Sequence, residues 1–428
     1  MMAMQPTALG WAPCIPSHWK VVPLGFVAKM GTGHTPDRSK QEFWENCTVP
    51  WVTTPDVTRR SGSLEPLMDT EQKISELGMA NSAAVLHPSD TVMLSRTASI
   101  GYSVRIGRPM ATTQAFVTWR SGPDLDSRYL LLLLRAMEQE WRRLAYGSTH
   151  LTIYMPDLES VRIPLPPIEE QRRIANFLDF EVARIDRLVR LRDLQLQLVG
   201  QKYEASLDAA FVDEGLQPTR LKYLLACKPR YGVLVPQFVD LGVRFIRVND
   251  LLDLPGRADS LRMIPSELSR QYSRTVTRAG DVLLSVVGTM GRSTVVPPEL
   301  VGANVARAVA SLRGGPNVPP ELLAAWLTSP SFMRQASLAT SSDTAQPTLG
   351  MEDLSNFELS WPSSATLLRD LVARVTTARQ RRDELAGLLM KQSALLAQRR
   401  QALITAAVTG QFDVSSASGR GLTDGVAA

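Results

Sequence analysis

The chain is poor in the residues that most often carry chemistry. Its 428 residues include three cysteines, Cys14, Cys47 and Cys227, far apart and without a CxxC pair. That spacing excludes a disulfide scaffold and a thiolate zinc site, and fits a reducing cytoplasm. Four histidines, His18, His34, His87 and His150, form no HExxH or other close pair, so a histidine metal site has no local support. No GxxxxGK[ST] loop is present to cradle a nucleotide's phosphates, and no GxSxG nucleophile elbow. The glycine clusters Gly31 to Gly33 and Gly288 to Gly291 stop short of GxGxxG and read as turns. Paired Glu169 and Glu170 open a helical stretch, where they suit the helix dipole better than acid–base work. The longest leucine run, Leu130 to Leu134, falls far short of the ~20 apolar residues a membrane helix needs. The first residues, with no basic start and no apolar block, do not read as a secretory signal. Lysine is scarce too, at 8 against 39 arginines. Arginine forks suit phosphates and guanine edges, although genome composition produces the same bias.

What is present is apolar substance and repetition. Hydrophobic residues make up 44% of the chain and charged residues 21%, enough for real cores in two or three domains. The net charge of +5 allows a nucleic-acid partner without demanding one. Ser95 to Gly101 (SRTASIG) matches Ser285 to Gly291 (SVVGTMG), each after an apolar run that follows an aspartate, Asp90 or Asp281. At the same offset Gln114 matches Asn304. Further on, MPDLESVRIPLP from Met155 matches MEDLSNFELSWP from Met351, and ASLDAAF from Ala205 matches ALITAAV from Ala402. Four matches in one order, with a slowly drifting offset, describe a unit of about 195 residues used twice.

Each copy begins with short β-rich runs broken by Gly, Pro, Asp and Asn, such as Val49 to Thr54 and Val243 to Val248. A helical patch and a proline-ended linker follow. Each copy ends in a long helix. From Ile168 to Phe211 there is no proline, and Ile174, Leu178, Ile185, Leu188, Leu191, Leu194, Leu198 and Leu207 recur at threes, fours and sevens. The second runs from about Ala365 to Thr409, with Leu368, Leu371, Val375, Leu385, Leu388, Leu395, Leu403 and Ile404, and stops at Gly410. At 1.5 Å per residue such a helix spans roughly 65 Å and needs a partner. Residues 166–215 carry 7 basic against 10 acidic groups, and 362–428 carry 9 against 5, so the two are complementary. A helix from another chain is the alternative partner.

The segments Ile163 to Asp179 (IPLPPIEEQRRIANFLD), Arg184 to Val189 and Arg399 to Val414 (RRQALITAAVTGQFDV) give the chain its resemblance to the specificity subunit of type I restriction–modification systems. The likeness covers nearly all of it, including the opening from Pro16; the second linker, PSSATLLRDLV, lacks the Glu-Glu-Gln of the first. The resemblance implies an α+β architecture of two mixed α/β target recognition domains, each followed by a long α-helix, with the helices paired as an antiparallel coiled-coil spacer. The expected boundaries are 1–165 and 215–362 for the recognition domains, 166–214 and 363–413 for the helices, and 414–428 for a disordered tail. It also implies a non-catalytic, cytoplasmic subunit that reads a bipartite, asymmetric double-stranded DNA target. Its implied partners are two modification (methyltransferase) subunits and restriction (translocase–nuclease) subunits, on which S-adenosylmethionine, ATP and magnesium would bind. A protein-binding coiled-coil adaptor without DNA readout is the competing expectation, and a stand-alone enzyme a weaker one.

Base readout needs polar side chains on loops, with arginines and lysines for phosphates. The first domain offers Lys29, Thr32, His34, Thr35 and Arg38 on its glycine-rich loop, and Thr53, Thr54, Asp56, Arg59 and Arg60 after VPWV. It adds Arg96, Thr97 and Ser99 in the repeated loop, Gln114, and Tyr146, Ser148, Thr149 and His150. Position matching adds Lys228, Arg230, Tyr231, Asn249, Asp250, Thr289, Arg292, Asn304, Ser341, Ser342, Asp343 and Gln346 in the second. Each competes with a plainer role: turn Thr and Ser usually bond their own backbone, and Arg59 with Arg60 suits a solvated surface pair.

Overall fold

The computed structural model describes residues 3–60, 62–147, 151–340 and 347–414. The chain forms two units, residues 1–193 with 390–428, and residues 194–389. Each therefore takes one copy of the β-rich domain and part of both long helices.

In the first unit, a four-stranded antiparallel sheet has the order Ala28–Thr32, Phe116–Ser121, Val92–Ser95, Ser103–Arg105. A three-stranded sheet orders Lys73–Ile74, Val49–Val52 and Ala111–Thr112, the last two parallel. Val92–Ser95 and Val49–Val52 are buried at every position, which is why they read as continuous apolar runs with no alternation. The leucine run lies in helix Ser127–Ala136, where Leu130 to Leu134 are all buried. Asp126 starts that helix by accepting the Arg128 and Tyr129 amides.

Strand Arg162–Leu165 pairs with Lys20–Pro23 and leads through Pro166 and Pro167 into the first long helix, Ile168–Ala210. Gln171 explains the Glu-Glu-Gln motif. It is fully buried; its amide nitrogen donates to the Asp124 and Pro166 carbonyls (both 2.9 Å), and its oxygen accepts the Asp126 amide (2.9 Å). The motif is a clamp between helix and domain. At the matching step of the second long helix, Ala365–Val408, Leu368 packs against the second core, so the missing Glu-Glu-Gln removes a polar clamp and keeps an apolar one.

The helices pair antiparallel within each unit. In the first, Asp186 meets Arg400 (2.8 Å), Phe177 stacks on Phe412 (5.4 Å), and Ile174, Leu178, Val182 and Ile404 join the domain core. In the second, Arg382 lies over the Tyr203 ring (4.5 Å), Arg374 pairs with Asp213, and Leu207, Leu371 and Val375 join the core. The apolar stripe is not buried throughout, however. Leu188, Leu191, Leu194 and Leu198, and Leu385, Leu388 and Leu395, are exposed, because a helix pair covers only its facing seam. The second helix stops at Gly410, whose φ of +70° suits glycine.

The second unit repeats these three sheets of the first strand for strand, without a counterpart, among the described residues, of the first unit's additional pair Met4–Pro6 with Cys14–Pro16. Its four-stranded sheet orders Arg230–Tyr231, Val309–Leu312, Val282–Ser285, Ser293–Val295, and its three-stranded sheet Arg262–Ile264, Val243–Ile246, Asn304–Val305. Strand Leu216–Arg220 pairs with Glu358–Pro362 as Lys20–Pro23 does with Arg162–Leu165. The register corrects two sequence matches. Gln114 does not correspond to Asn304: Asn304 faces Phe245 as Ala111 faces Trp51, and Gln114, two residues before strand Phe116–Ser121, corresponds to Arg307, two before Val309–Leu312. The connection before Asn304 is longer than that before Ala111, which shifts the offset. Likewise Asp90 corresponds to Gly280; both have positive φ, +66° and +78°.

Among the described residues, no helix is long and apolar enough to cross a membrane.

Candidate nucleic-acid interface

In each unit, the antiparallel register gathers four strand ends, and the three connections that leave them, at one end of the four-stranded sheet. In the first unit these follow Thr32 and Ser95 and precede Phe116 and Ser103. Gly33 is pressed onto the backbone: a Cβ there would lie 2.0 Å from the Thr112 carbonyl oxygen, which also accepts the His34 amide (3.0 Å). This close approach turns His34 and Thr35 outward from the sheet end. His34 is exposed, and the Thr35 hydroxyl donates to the Gln114 side-chain oxygen (2.6 Å). Arg38 is exposed and lies over Trp44 and Trp51 (4.8 and 5.3 Å). The neighbouring loop turns through Ala98 and Gly101, at φ +59° and +87°. There the Ala98 amide donates to the Leu151 carbonyl, and Thr97 and Tyr146 both bridge to Thr152. His34, Thr35, Arg38 and Gln114 thus come together, and so do Thr97, Ser99 and Tyr146. Sequence reasoning missed Tyr154, an exposed ring 5.8 Å from that of Tyr146.

The second unit reproduces this frame. A Cβ on Gly232 would lie 1.8 Å from the Val305 oxygen, which accepts the Val233 amide (2.8 Å). Gly288 and Gly291, at φ +70° and +80°, take the places of Ala98 and Gly101, and Val287 bridges to Thr348 as Thr97 does to Thr152. Thr289 is exposed at that turn; Arg292 is half-buried, its amide donating to Ser285 Oγ (3.0 Å). The Tyr231 hydroxyl donates to the Leu349 carbonyl (2.7 Å). Burial pushes the Tyr231 phenol up, and Arg307 opposes that. Arg307 itself is exposed and was missed, because the shifted offset hid its match to Gln114.

Several expected contact residues have other duties. Lys29 lies within strand Ala28–Thr32 opposite Arg120 rather than on the loop, and Thr32 ends the strand with its hydroxyl donating to the Phe116 carbonyl (2.8 Å). Thr53 and Asp56 are buried. Asp56 accepts the Thr53 amide (2.8 Å) and hydroxyl (2.6 Å) and the Glu71 amide (3.0 Å), capping helix Thr54–Thr58, whose first residue is Thr54. Arg59 pairs with Glu71 (2.5 Å), and Arg60 reaches Glu65 (3.9 Å). Asp250 is the second copy of this cap: it is buried and accepts the Arg247 amide (2.8 Å), while Asn249 beside it is exposed. Arg96 is half-buried and donates to the Ile153 carbonyl (3.4 Å). Asn304 is fully buried in its strand. Arg230 donates to the Arg274 carbonyl (3.0 Å), and Lys228 lines a pocket with Tyr223, Cys227 and Met351. Ser148, Thr149, His150, Ser341, Ser342, Asp343 and Gln346 lie outside the described residues. Among the described residues, no group of three or more His, Cys, Asp or Glu side chains could hold a metal ion.

Residues 16–187 match the family described as Type I restriction modification DNA specificity domain. Over 234 residues the chain is 30% identical to the Type I restriction enzyme EcoBI specificity subunit of Escherichia coli, covering 48% of this chain and 49% of that one. Over 168 residues it is 27% identical to the MjaIX specificity subunit of Methanocaldococcus jannaschii, covering 39% and 38%. The chain thus spans about half the length, or less, of these curated relatives. A solved chain, from work on complex assembly and conformational transition of the type I R-M system, shares the fold with a TM-score of 0.65 at 21% identity, over 93% of this chain and 99% of that one. Residues 16–187 are therefore similar to the type I restriction specificity domain, and the chain is similar in sequence to type I restriction enzyme specificity subunits.

Proposed function

We propose that this chain is the non-catalytic DNA-specificity subunit of a cytoplasmic type I restriction–modification complex. One observation carries the reading: the same loop-bearing sheet end is built twice in one chain, on the same backbone anchors, with different side chains. Two rigid readers of different chemistry suit a bipartite, asymmetric target, since recognition modules on one face of B-DNA meet successive major grooves about 34 Å apart. A helical spacer fixes such a gap, which a flexible linker would not. The exposed leucines at Leu188 to Leu198 and Leu385 to Leu395 offer apolar surface for two modification subunits, with restriction subunits joining them. S-adenosylmethionine, ATP and magnesium would bind those partners.

The recognition domains are only weakly basic, with 16 basic against 15 acidic residues over 1–165 and 15 against 12 over 216–361. DNA affinity then comes from local arginines and from partners. The test is DNA binding by the complex of this chain with its modification subunit across a salt series. Affinity for one bipartite duplex that falls steeply with salt is expected. Stable assembly with no DNA affinity would leave a protein-binding adaptor instead.

A further inference from the structure

We propose that Arg307 is a base-reading side chain of the second unit, recognising a guanine in the slot where Gln114 of the first unit recognises an adenine. The proposal rests on the DNA-reading function above. The slot is defined by backbone alone. Both residues stand two positions before the strand that pairs with Ser95 or Ser285, and directly after the segment whose carbonyl, Thr112 or Val305, anchors the glycine loop. Both side chains are exposed at the sheet end that gathers the loops.

The chemistry around the slot changes with its occupant. In the first unit the Thr35 hydroxyl holds the Gln114 side-chain oxygen at 2.6 Å, fixing the plane of an amide that can pair bidentately with adenine N6 and N7. In the second, the residue after Val233 is Leu234, exposed and without a hydroxyl, followed by exposed Val235. Nothing polar is needed there, because a guanidinium carries its own planar fork, matched to guanine O6 and N7. Among the described residues, no hydrogen bond or ion pair occupies the Arg307 side chain, unlike Arg230, Arg244, Arg247 and Arg313 of the same unit. The Arg307 amide donates to the Val233 carbonyl (2.9 Å), and the exposed Leu234 and Val235 that follow offer apolar surface of the kind that packs against a thymine methyl.

The experiment is selection from a randomised duplex library by the complex of the full chain with its modification subunits. It uses wild type, R307Q and Q114R at one salt concentration, with thermal denaturation of each complex as a folding control. Wild type is expected to require a guanine at one position of one half-site, and R307Q to lose that preference by on the order of tenfold or more, leaving the other half-site unchanged. Q114R is expected to shift one position of the other half-site from adenine to guanine. Uniform weakening in R307Q with every base preference kept would make Arg307 a phosphate contact and overturn the proposal, as would no change at all. If R307Q selects nothing, Q114R decides: an unshifted preference there overturns the shared slot. A wild-type complex that enriches no sequence defeats the DNA-reading function itself, a result distinct from the others.

Discussion

Replacing Gly33 or Gly232 with alanine tests whether each loop is held by close backbone approach. A Cβ on Gly33 would lie 2.0 Å from the Thr112 oxygen and 2.4 Å from its carbonyl carbon; on Gly232 it would lie 1.8 Å from the Val305 oxygen. Neither contact is with a flexible side-chain end that could swing away. The two segments must part, which breaks the His34–Thr112 bond (3.0 Å) or the Val233–Val305 bond (2.8 Å). Losing one such bond costs about 1 kcal/mol. Forcing atoms into a packed region costs about 1–3 kcal/mol more. Each variant is therefore expected to lose roughly 2–4 kcal/mol, read as a lowered urea midpoint for the affected unit in the purified chain. G33A should also disturb only one half-site in DNA selection. Gly200→Ala is the control: no neighbour lies within 4 Å of its Cβ, it sits inside a helix, and alanine there should add about 0.5–1 kcal/mol. A G33A or G232A midpoint equal to wild type would refute the close-approach argument.

Other expectations follow from particular contacts. Ala98 sits at φ +59° where its counterpart is Gly288 at +70°. Ala98→Gly should therefore stabilise and Gly288→Ala destabilise, each by about 1 kcal/mol in urea unfolding; equal signs would contradict the shared turn. In the second unit, Arg313 grips buried Asp281 with two 2.7 Å bonds. Removing the guanidinium with Arg313→Ala should cost about 2–3 kcal/mol, discounted for the arginine's partial exposure, and a midpoint shift near zero would refute it. Burial depresses the His87 pKa below 6.5, with the Thr32 backbone opposing. The folded state thus favours neutral imidazole, so this stability is fully present above the unfolded value and is lost as pH falls through 6.5 toward the folded one. H87N should flatten the fall in urea midpoint between about pH 7.5 and 5.5; an unchanged slope would contradict the assignment.

Much of the architecture was legible because it is periodic or punctuated. Prolines and glycine bracket the long helices, which start at Ile168 and Ala365 within three residues of the expected boundaries. The repeat was legible where turns force the same backbone, as at Gly101 and Gly291. It failed at Gln114 because a longer connection before Asn304 shifts the offset, and only strand pairing reveals Arg307 as the counterpart. Polar residues misled where they serve the fold. Thr53 with Asp56, and Asp250, resemble exposed loop chemistry in sequence but are buried caps, since a short polar side chain at a helix start satisfies backbone amides. The leucine stripes announced packing without saying against what, and Leu188 to Leu198 remain exposed on this chain.

The central claim, two readers in one chain joined by a spacer, meets its most direct test in the methylome of cells expressing the complete system. The account predicts one bipartite, asymmetric motif, and replacement of about residues 20 to 160 by a related first domain should change one half of it while the gap and other half persist. Absence of any motif, or a swap that alters both halves together, would contradict it.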